Sequence, residues 1–276
     1  MYSPITQQAW KAVLSWFGFF YQIFSQIIGS FADNYPLLSL SSNSSFKPLS
    51  SLDHESAVQI IEDADHQQPQ KLTVVLDLDE TLICAYETSS VSDELKTQAT
   101  QAGLNWFELE CVFDNKEADG EPIINYVTVF ERPGLKEFLK QLSEFADLVL
   151  FTAGVEGYAR PLVDRIDTEN WFSLRLYRPS TIRTEHREYV KDLTCISKDL
   201  CNIVIVDNNP YSFLLQPDNG IPCVPFSAGQ PHDTQLLDVI LPILKDLSDQ
   251  KDVRHVLYEK YHMPEWFQQH GIPAPS

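Results

Sequence analysis

Three short apolar runs in this chain each end in residues of the kind that phosphoryl-transfer chemistry uses. The run at 72–76 leads into Asp77, Asp79 and Thr81, the run at 148–151 into Thr152, and the run at 203–206 into Asp207 and Asn208. Short, β-branched runs with polar borders indicate buried strands of a parallel sheet, and such sheets bind ligands beyond the carboxyl ends of their strands. The sequence therefore predicts a Mg²⁺ and phosphate site along one edge of a sheet.

The two aspartates of the first motif have different predicted roles. Asp77 follows the strand directly and is our candidate nucleophile, which would form an acyl phosphate. Asp79 is our candidate general acid and base, because one carboxylate cannot be acylated and also transfer the proton. We expect Thr81 to tie the loop by hydrogen bonding to its backbone.

The metal and the phosphoryl group need further partners. Mg²⁺ prefers hard oxygen ligands and keeps several waters, so Asp77, the Asp79 carbonyl and Asn208 are candidate ligands, with Asp207 as a further one. Thr152 is a candidate donor to a phosphate oxygen. Lys191, sixteen residues before Asp207, is the best candidate for the missing cation.

Composition restricts the class of protein. The chain has 276 residues, is 43% hydrophobic and has a formal net charge of −19, which argues against a broad nucleic-acid-binding face and against direct nucleic-acid binding. Its five cysteines are odd in number and form no C-x-x-C pair, which favours reduced thiols, most of them in the core, over a disulfide framework or a zinc site.

The first 32 residues contain an apolar segment that is close to the length of a membrane span. Polar residues recur in it every three or four positions and would form one stripe on a helix, opposite aromatic and aliphatic residues. This pattern favours a helix lying in the membrane interface through residues 10–31, rather than a span or a helix packed on protein. Residues 33–70, rich in serine and then in acidic residues, indicate a flexible linker.

We expect the catalytic domain to cover residues 71–248, with a helix and tail at 249–276. After the first strand comes a polar stretch, 87–103, and then a predicted β-hairpin at 106–113 and 123–130. An insertion at this point overhangs the edge of the sheet, so we interpret it as a wall of the substrate site rather than an ornamental hairpin.

The rest of the domain alternates between strands and helices. We expect helices after Arg132-Pro133-Gly134 and over 158–166, a loop over 170–189, a helical region around Lys198, and a strand over 221–226. Asp233 is predicted to cap a helix extending to Leu244, and residues 265–276 to be loosely ordered. This alternation indicates a Rossmann-like, three-layer α/β fold with a parallel sheet.

At this point the motifs can be compared with a known family. Five segments together resemble the haloacid-dehalogenase superfamily, in its branch of RNA polymerase II C-terminal-domain phosphatases, which includes the small and the Dullard-type nuclear-envelope phosphatases. They are 77–82 (DLDETL), 132–134 (RPG), 150–153 (LFTA), 189–193 (YVKDL) and 206–208 (VDN). The resemblance implies Mg²⁺-dependent protein serine/threonine phosphatase activity, with Asp77 as nucleophile, Asp79 as acid and base, Thr152 and Lys191 on the phosphate, and Asp207 and Asn208 at the metal.

Two other functions remain open at this stage. One is a non-catalytic subunit similar to the mitochondrial inner-membrane import receptor, which the missing basic presequence and the intact carboxylates disfavour. The other is a small-metabolite phosphatase, for which an insertion of this size is too small to enclose the substrate. The leading interpretation is a phosphoprotein phosphatase on a cytosol-facing membrane, of the endoplasmic reticulum or the nuclear envelope, or in the nucleus.

Overall fold

A five-stranded parallel sheet carries the three motifs that the sequence analysis singled out. The computed structural model describes residues 71–116 and 122–272. The strands of this sheet are Leu72–Leu76 (β1), Ala146–Phe151 (β5), Phe172–Leu176 (β6), Ile203–Asp207 (β7) and Gly220–Pro222 (β8), in the spatial order β6-β5-β1-β7-β8. β1, which precedes Asp77, therefore lies at the centre.

The register of the sheet brings the three motifs together. Leu76 is paired with Leu150 of β5 on one side and with Val206 of β7 on the other. The residues that follow these partners leave the sheet at the same edge, as expected for parallel strands. Asp77, Thr152 and Asp207 therefore share one end of the sheet.

Helices cover both faces of the sheet. On one face lie Leu135–Phe145 (α2), Glu156–Ile166 (α3) and Leu241–Ser248 (α4), the last preceded by a π-helical segment, Gln235–Ile240. Their buried leucines and β1 residues such as Val74 and Leu76 form one core. Val75 belongs to a second core on the opposite face, with Phe151 and Phe213. The expected three-layer α/β architecture is confirmed.

The insertion after β1 is a small antiparallel sheet. Its strands are Ile83–Glu87 (β2), Trp106–Lys116 (β3) and Pro122–Glu131 (β4), in the order β2-β4-β3. The predicted hairpin is thus confirmed, with β3 longer than expected. The polar stretch at 87–103 contains an unpredicted helix, Asp93–Gln101 (α1), which begins after Ser92, whose side chain accepts a hydrogen bond from Leu95 N–H. Its apolar positions are few, so helical periodicity was weak.

Three expectations for the second half of the domain are wrong in detail. The expected loop over 170–189 contains strand β6, whose Phe172, Leu174 and Leu176 alternate with polar residues. The helical turn expected around Lys198 lies earlier, at Leu193–Cys195. The strand expected over 221–226 ends at Pro222, and beyond it the Val224 N–H is bonded to the side chain of Gln235.

The C-terminal region also differs from expectation. Asp233 lies just before the helical segment and accepts a hydrogen bond from Gln235 N–H at 3.0 Å, but both its oxygens are also bonded to Arg132. Two further helices follow, Val253–Tyr261 (α5) and Met263–Gln269 (α6). Phe267 and Ile272 are buried in the second core, so the expectation of a loose tail is wrong for residues 265–272.

Some expectations lie outside the described residues. These are the amphipathic helix at residues 10–31 and the linker at 33–70. Among residues 71–116 and 122–272, no helix is long and apolar enough to cross a membrane. The five cysteines are free thiols, and Cys84, Cys111 and Cys223 are buried, as expected.

Candidate active site

Lys191 links the carboxylates at the ends of two neighbouring strands. Its Nζ lies 2.5 Å from Asp77 Oδ1 and 2.6 Å from Asp207 Oδ2, and all three side chains are buried. The backbone also joins these strand ends, because Asp77 N–H donates to Val206 C=O at 3.1 Å. The cation that the sequence analysis placed here by its spacing therefore contacts both carboxylates.

Thr81 fixes the orientation of Asp77. Its Oγ1 donates to Asp77 Oδ2 at 2.9 Å and accepts from Asn208 N–H at 3.2 Å. We expected Thr81 to bond to the backbone of its own loop, but its partners are the Asp77 carboxylate and the β7 motif. Both oxygens of Asp77 are thus held, one by Thr81 and the other by Lys191.

The charges in this cluster shift the protonation of its members. Burial opposes the charge of Lys191, but Asp207 and Asp77 outweigh that effect and raise the pKa of the ammonium above its ordinary value. Burial and the charge of Asp77 raise the pKa of Asp207 to about 6, although Lys191 opposes the shift. Lys191 thus contacts two carboxylates, Asp77 and Asp207, and this excess of negative charge is suited to a cation.

Asp79 has the environment of a general acid. Burial, followed by the charge of Asp77, raises the pKa of Asp79 to about 6. The Tyr158 hydroxyl of α3 donates a hydrogen bond to Asp79 Oδ1, which leaves Oδ2 to carry a proton. A carboxyl group that titrates near neutral pH can both give and take a proton under physiological conditions.

Thr152 directly follows β5, and its hydroxyl is held in the turn after the strand. Its Oγ1 accepts from Gly154 N–H at 2.9 Å, and its own N–H donates to Leu176 C=O at 3.0 Å. Because Oγ1 is an acceptor in that bond, its proton remains available for an incoming oxygen. A Cβ at Gly154 would lie 3.2 Å from Thr152 Oγ1, which is a close approach that requires a small shift of the Thr152 side chain.

The donor atoms at this edge are of the type that Mg²⁺ binds. Asn208 Nδ2 donates to Glu80 Oε2 at 3.0 Å, and Asn208 Oδ1 lies 3.4 Å from Thr81 Oγ1, beside Asp77. Within the described residues, no three His, Cys, Asp or Glu side chains are grouped so as to hold a metal ion. Mg²⁺ does not need such a group, since it binds through one or two carboxylates plus waters, and the excess negative charge fits it.

Arg132 is a structural element of the site that the sequence analysis did not identify. Its guanidinium is buried and donates to Thr81 C=O at 3.1 Å, to Val224 C=O at 2.9 Å and to both oxygens of Asp233. It therefore anchors the loop that carries Asp77 and Asp79. The RPG segment indicated a helix start, but nothing in its local pattern pointed to a partner about a hundred residues away.

The inserted sheet and α3 form one wall beside the aspartates. Cys111 of β3 is buried, and its Sγ lies 3.8 Å from Tyr158 C=O, while the Tyr158 ring extends to Asp79. This position supports the interpretation of the insertion as a wall of the substrate site. Tyr158 was predicted only as the start of a helix, and its contact with Asp79 depends on the packing of α3 against the insertion.

The chain is similar to known phosphatases over most of the described residues. The model of the family described as NLI interacting factor-like phosphatase matches residues 72–254. The human Carboxy-terminal domain RNA polymerase II polypeptide A small phosphatase 1 is 34% identical over 200 residues, which cover 72% of this chain and 67% of that protein. A Drosophila melanogaster CTD nuclear envelope phosphatase 1 homolog is 33% identical over 194 residues, covering 70% and 74%.

The relatives differ in how much of their length is matched. The CTD small phosphatase-like protein 2 of Dictyostelium discoideum is 34% identical over 200 residues, which are 72% of this chain but only 31% of that protein. The similarity is therefore that of a shared domain, with most of the longer relative outside it.

Proposed function

This chain belongs to the NLI interacting factor-like phosphatase family, and from that premise we propose that it is a Mg²⁺-dependent protein serine/threonine phosphatase acting through an aspartyl-phosphate intermediate. The observation that carries the proposal is the bridge of Lys191 between Asp77 and Asp207. Phosphate monoesters resist attack because their oxygens are anionic, and this arrangement supplies a buried cation next to a nucleophile.

In the first half of the reaction, an Asp77 carboxylate oxygen attacks phosphorus and the bond to the serine or threonine oxygen breaks. Lys191 and the Thr152 hydroxyl bind the phosphoryl oxygens. Asp79 gives its proton to the departing alkoxide, with its carboxyl group held by Tyr158. The products of this half are the free hydroxyl side chain and the phosphorylated Asp77.

In the second half, Asp79 is an anion and acts as the base. It takes a proton from a water molecule, the water oxygen attacks phosphorus, and the bond to the Asp77 oxygen breaks. Inorganic phosphate leaves and Asp79 is protonated again. Mg²⁺, held by Asp77, the Asp79 carbonyl, Asp207 and Asn208, would neutralise phosphoryl oxygens and hold them in place.

The alternatives are not favoured by the site. A non-catalytic import-receptor-like subunit has no need for a buried Asp77–Lys191–Asp207 cluster, which is costly to desolvate. A small-metabolite phosphatase needs an enclosing cap, whereas the insertion forms a three-stranded sheet on one side. A phosphorylated protein segment is the substrate that fits best.

We also propose that the protein associates with a membrane surface through residues 10–31, at the nuclear envelope or the endoplasmic reticulum, or acts in the nucleus. The support is the polar stripe in that segment and the relative named as a nuclear envelope phosphatase homolog. The test of the catalytic proposal is hydrolysis of a panel of phosphoserine and phosphothreonine peptides by the full chain, with and without Mg²⁺. Hydrolysis of small phosphate esters alone would favour the metabolite alternative.

A further inference from the structure

The segment that leads to Lys191 is basic, although the chain as a whole is acidic. Residues 178–191, the basic loop, contain four lysine or arginine residues and two glutamates, in a chain of net charge −19. The loop starts just after β6 and ends at the phosphate-site lysine, so it passes along the same edge of the sheet as the aspartates. Its exposed arginines are Arg178, Arg183 and Arg187.

Arg178 is held beside the end of β5. Its Nε donates to Ala153 C=O at 2.7 Å, next to Thr152, and its backbone N–H donates to Gly154 C=O at 2.9 Å. The guanidinium carbon lies 4.7 Å from the centroid of the Tyr189 ring. A planar group stacked on an aromatic ring is already ordered before a ligand binds.

Arg187 is held in the same way beside the end of β7. Its guanidinium carbon lies 4.4 Å from the ring centroid of Tyr211, in the turn Pro210–Phe213 that follows Asn208. Lys191 N–H donates to Ser212 C=O in that turn at 2.7 Å, which fixes the turn to the phosphate site.

The Tyr211 ring that contacts Arg187 is itself packed against residues that lie beyond the family match. The Tyr211 ring packs edge-on against Trp266 and Phe267 of α6, with ring centroids 5.5 and 6.1 Å apart. The match to the family model ends at residue 254. The α6 side of this ring contact therefore lies outside the family match.

Arg178 and Arg187 have no carboxylate partner among the described residues. Among the described residues, neither Arg178 nor Arg187 forms an ion pair, whereas Arg183 of the same loop lies 3.3 Å from Glu188. Arg178 is held beside the residues that follow β5, and Arg187 beside the turn that follows β7. These two strands are the neighbours of β1, which leads into Asp77. Each is exposed, so its guanidinium can offer charge-assisted hydrogen bonds to a ligand at this edge of the sheet.

We propose that Arg178 and Arg187 select phosphorylated segments with aspartate or glutamate on both sides of the phosphorylated residue. This specificity rests on the proposed function and adds the substrate class to it. Guanidinium groups bind carboxylates in a bidentate geometry, and a pair placed on either side of the nucleophile matches an extended acidic peptide.

The test compares two phosphoserine peptides of otherwise identical sequence. One has aspartates on both sides of the phosphoserine, and the other has asparagines at the same positions. The full chain with Mg²⁺ should hydrolyse the aspartate peptide with a kcat/KM about fivefold higher, as expected for exposed ion pairs, and the ratio should fall as NaCl rises. Arg187→Glu should bring the ratio to one or below, because it places a negative charge where the acidic flank binds. Lys140→Ala removes a positive charge from α2, which ends at the opposite edge of the sheet, and should keep the ratio.

The ratio within each variant is the readout, so a change in overall activity does not affect the conclusion. Equal hydrolysis of the two peptides by the wild-type chain, or a ratio that Arg187→Glu leaves unchanged, would overturn the specificity proposal and leave the phosphatase proposal standing. Failure of the wild-type chain to hydrolyse either peptide would instead overturn the proposed function, and the specificity with it.

Discussion

Lys191 donates a 2.5 Å hydrogen bond to Asp77 across 114 positions of sequence, and both side chains are buried. Removing one partner of a buried ion pair leaves an uncompensated charge. Two carboxylates, Asp77 and Asp207, depend here on the same ammonium. The energetics of the site and its chemistry are therefore coupled through one lysine.

The first prediction concerns this lysine. Lys191→Met keeps most of the side-chain volume but removes the charge, so phosphopeptide hydrolysis should fall at least a hundredfold, or about 2.7 kcal/mol in barrier height. The free energy of unfolding should also fall by about 3–5 kcal/mol, because two carboxylates lose their partner. Steady-state kinetics and urea denaturation measure the two effects. Lys198→Met, in the loop before β7, is the control, and equal behaviour of the two variants would exclude the bridging role.

The second prediction concerns the orientation of the acid. Tyr158→Phe removes the hydroxyl that donates to Asp79 Oδ1, so kcat should fall about tenfold, equivalent to about 1.4 kcal/mol. Asp79→Asn should have a much larger effect, since it removes the proton donor itself. Tyr126→Phe, at an exposed tyrosine of β4, should leave kcat unchanged. Wild-type kcat in the Tyr158 variant would show that the hydrogen bond does not contribute to turnover.

The third prediction concerns the pH dependence of stability. The hydrogen bonds from Arg132 hold the pKa of Asp233 below its ordinary value, despite its burial. Because the pKa of Asp233 is lowered in the folded state, the ionised Arg132–Asp233 pair stabilises the folded protein fully above the unfolded pKa of about 3.9. That stabilisation is lost as pH falls through the lower folded pKa. Asp233→Asn should therefore lower the free energy of unfolding by about 3–5 kcal/mol at pH 7. The difference in this free energy between the variant and wild type should become smaller below about pH 4.

Chemical denaturation at several pH values tests that dependence. The matched control is Asp147→Asn, because Asp147 pairs with Lys71 at 3.5 Å with both side chains largely exposed. Such a pair contributes less than about 1 kcal/mol. If the two variants lose the same stability at pH 7, Arg132 does not depend on Asp233 for its burial.

The fourth prediction concerns the proposed membrane segment. Replacing Phe20 and Phe24 with Glu puts charge on the apolar face of the proposed helix, opposite the polar stripe. Burial of apolar surface in the membrane is worth about 25 cal/mol per Å² on that face. The full chain should move from the membrane to the soluble fraction, while hydrolysis of a short phosphopeptide is unchanged. Replacing Gln22 and Gln26, on the polar stripe, with Glu is the control and should leave membrane binding intact. Protection of residues 1–9 from protease added to intact organelles would show a span instead.

The fold class and the convergence of the candidate site residues on one sheet edge could be predicted because both depend on local patterns. The apolar runs that precede Asp77, Thr152 and Asp207 are strong strand signals, and parallel strands of one sheet end at the same edge. The position of Lys191 could be proposed from spacing alone. Its contacts with both Asp77 and Asp207 depend on the path of the loop that carries it along the sheet edge. A short sequence pattern does not predict that path.

The missed features depend on contacts between distant segments. Arg132 binds Thr81 and Asp233, which lie about 50 and 100 positions away in sequence. Tyr158 reaches Asp79 because α3 packs against the inserted sheet. Residues 265–276 were expected to be loosely ordered, yet Phe267 is buried and packs edge-on against Phe213, which is far from it in sequence. The strand β6 did carry an alternating signal, but it is short and lies at the sheet edge, where such signals are weakest.

Covalent trapping tests most directly whether Asp77 forms the proposed aspartyl-phosphate intermediate. The full chain is mixed with a phosphopeptide labelled in its phosphoryl group, quenched in acid during turnover, digested and mapped for bound label. The aspartyl-phosphate mechanism predicts alkali-labile label on the peptide that contains Asp77, its dependence on Mg²⁺, and its absence in Asp77→Asn. Hydrolysis by that variant should be at least a thousandfold slower, or about 4 kcal/mol in barrier height. Hydrolysis by Asp77→Asn within tenfold of wild type, or label on another residue, would contradict it.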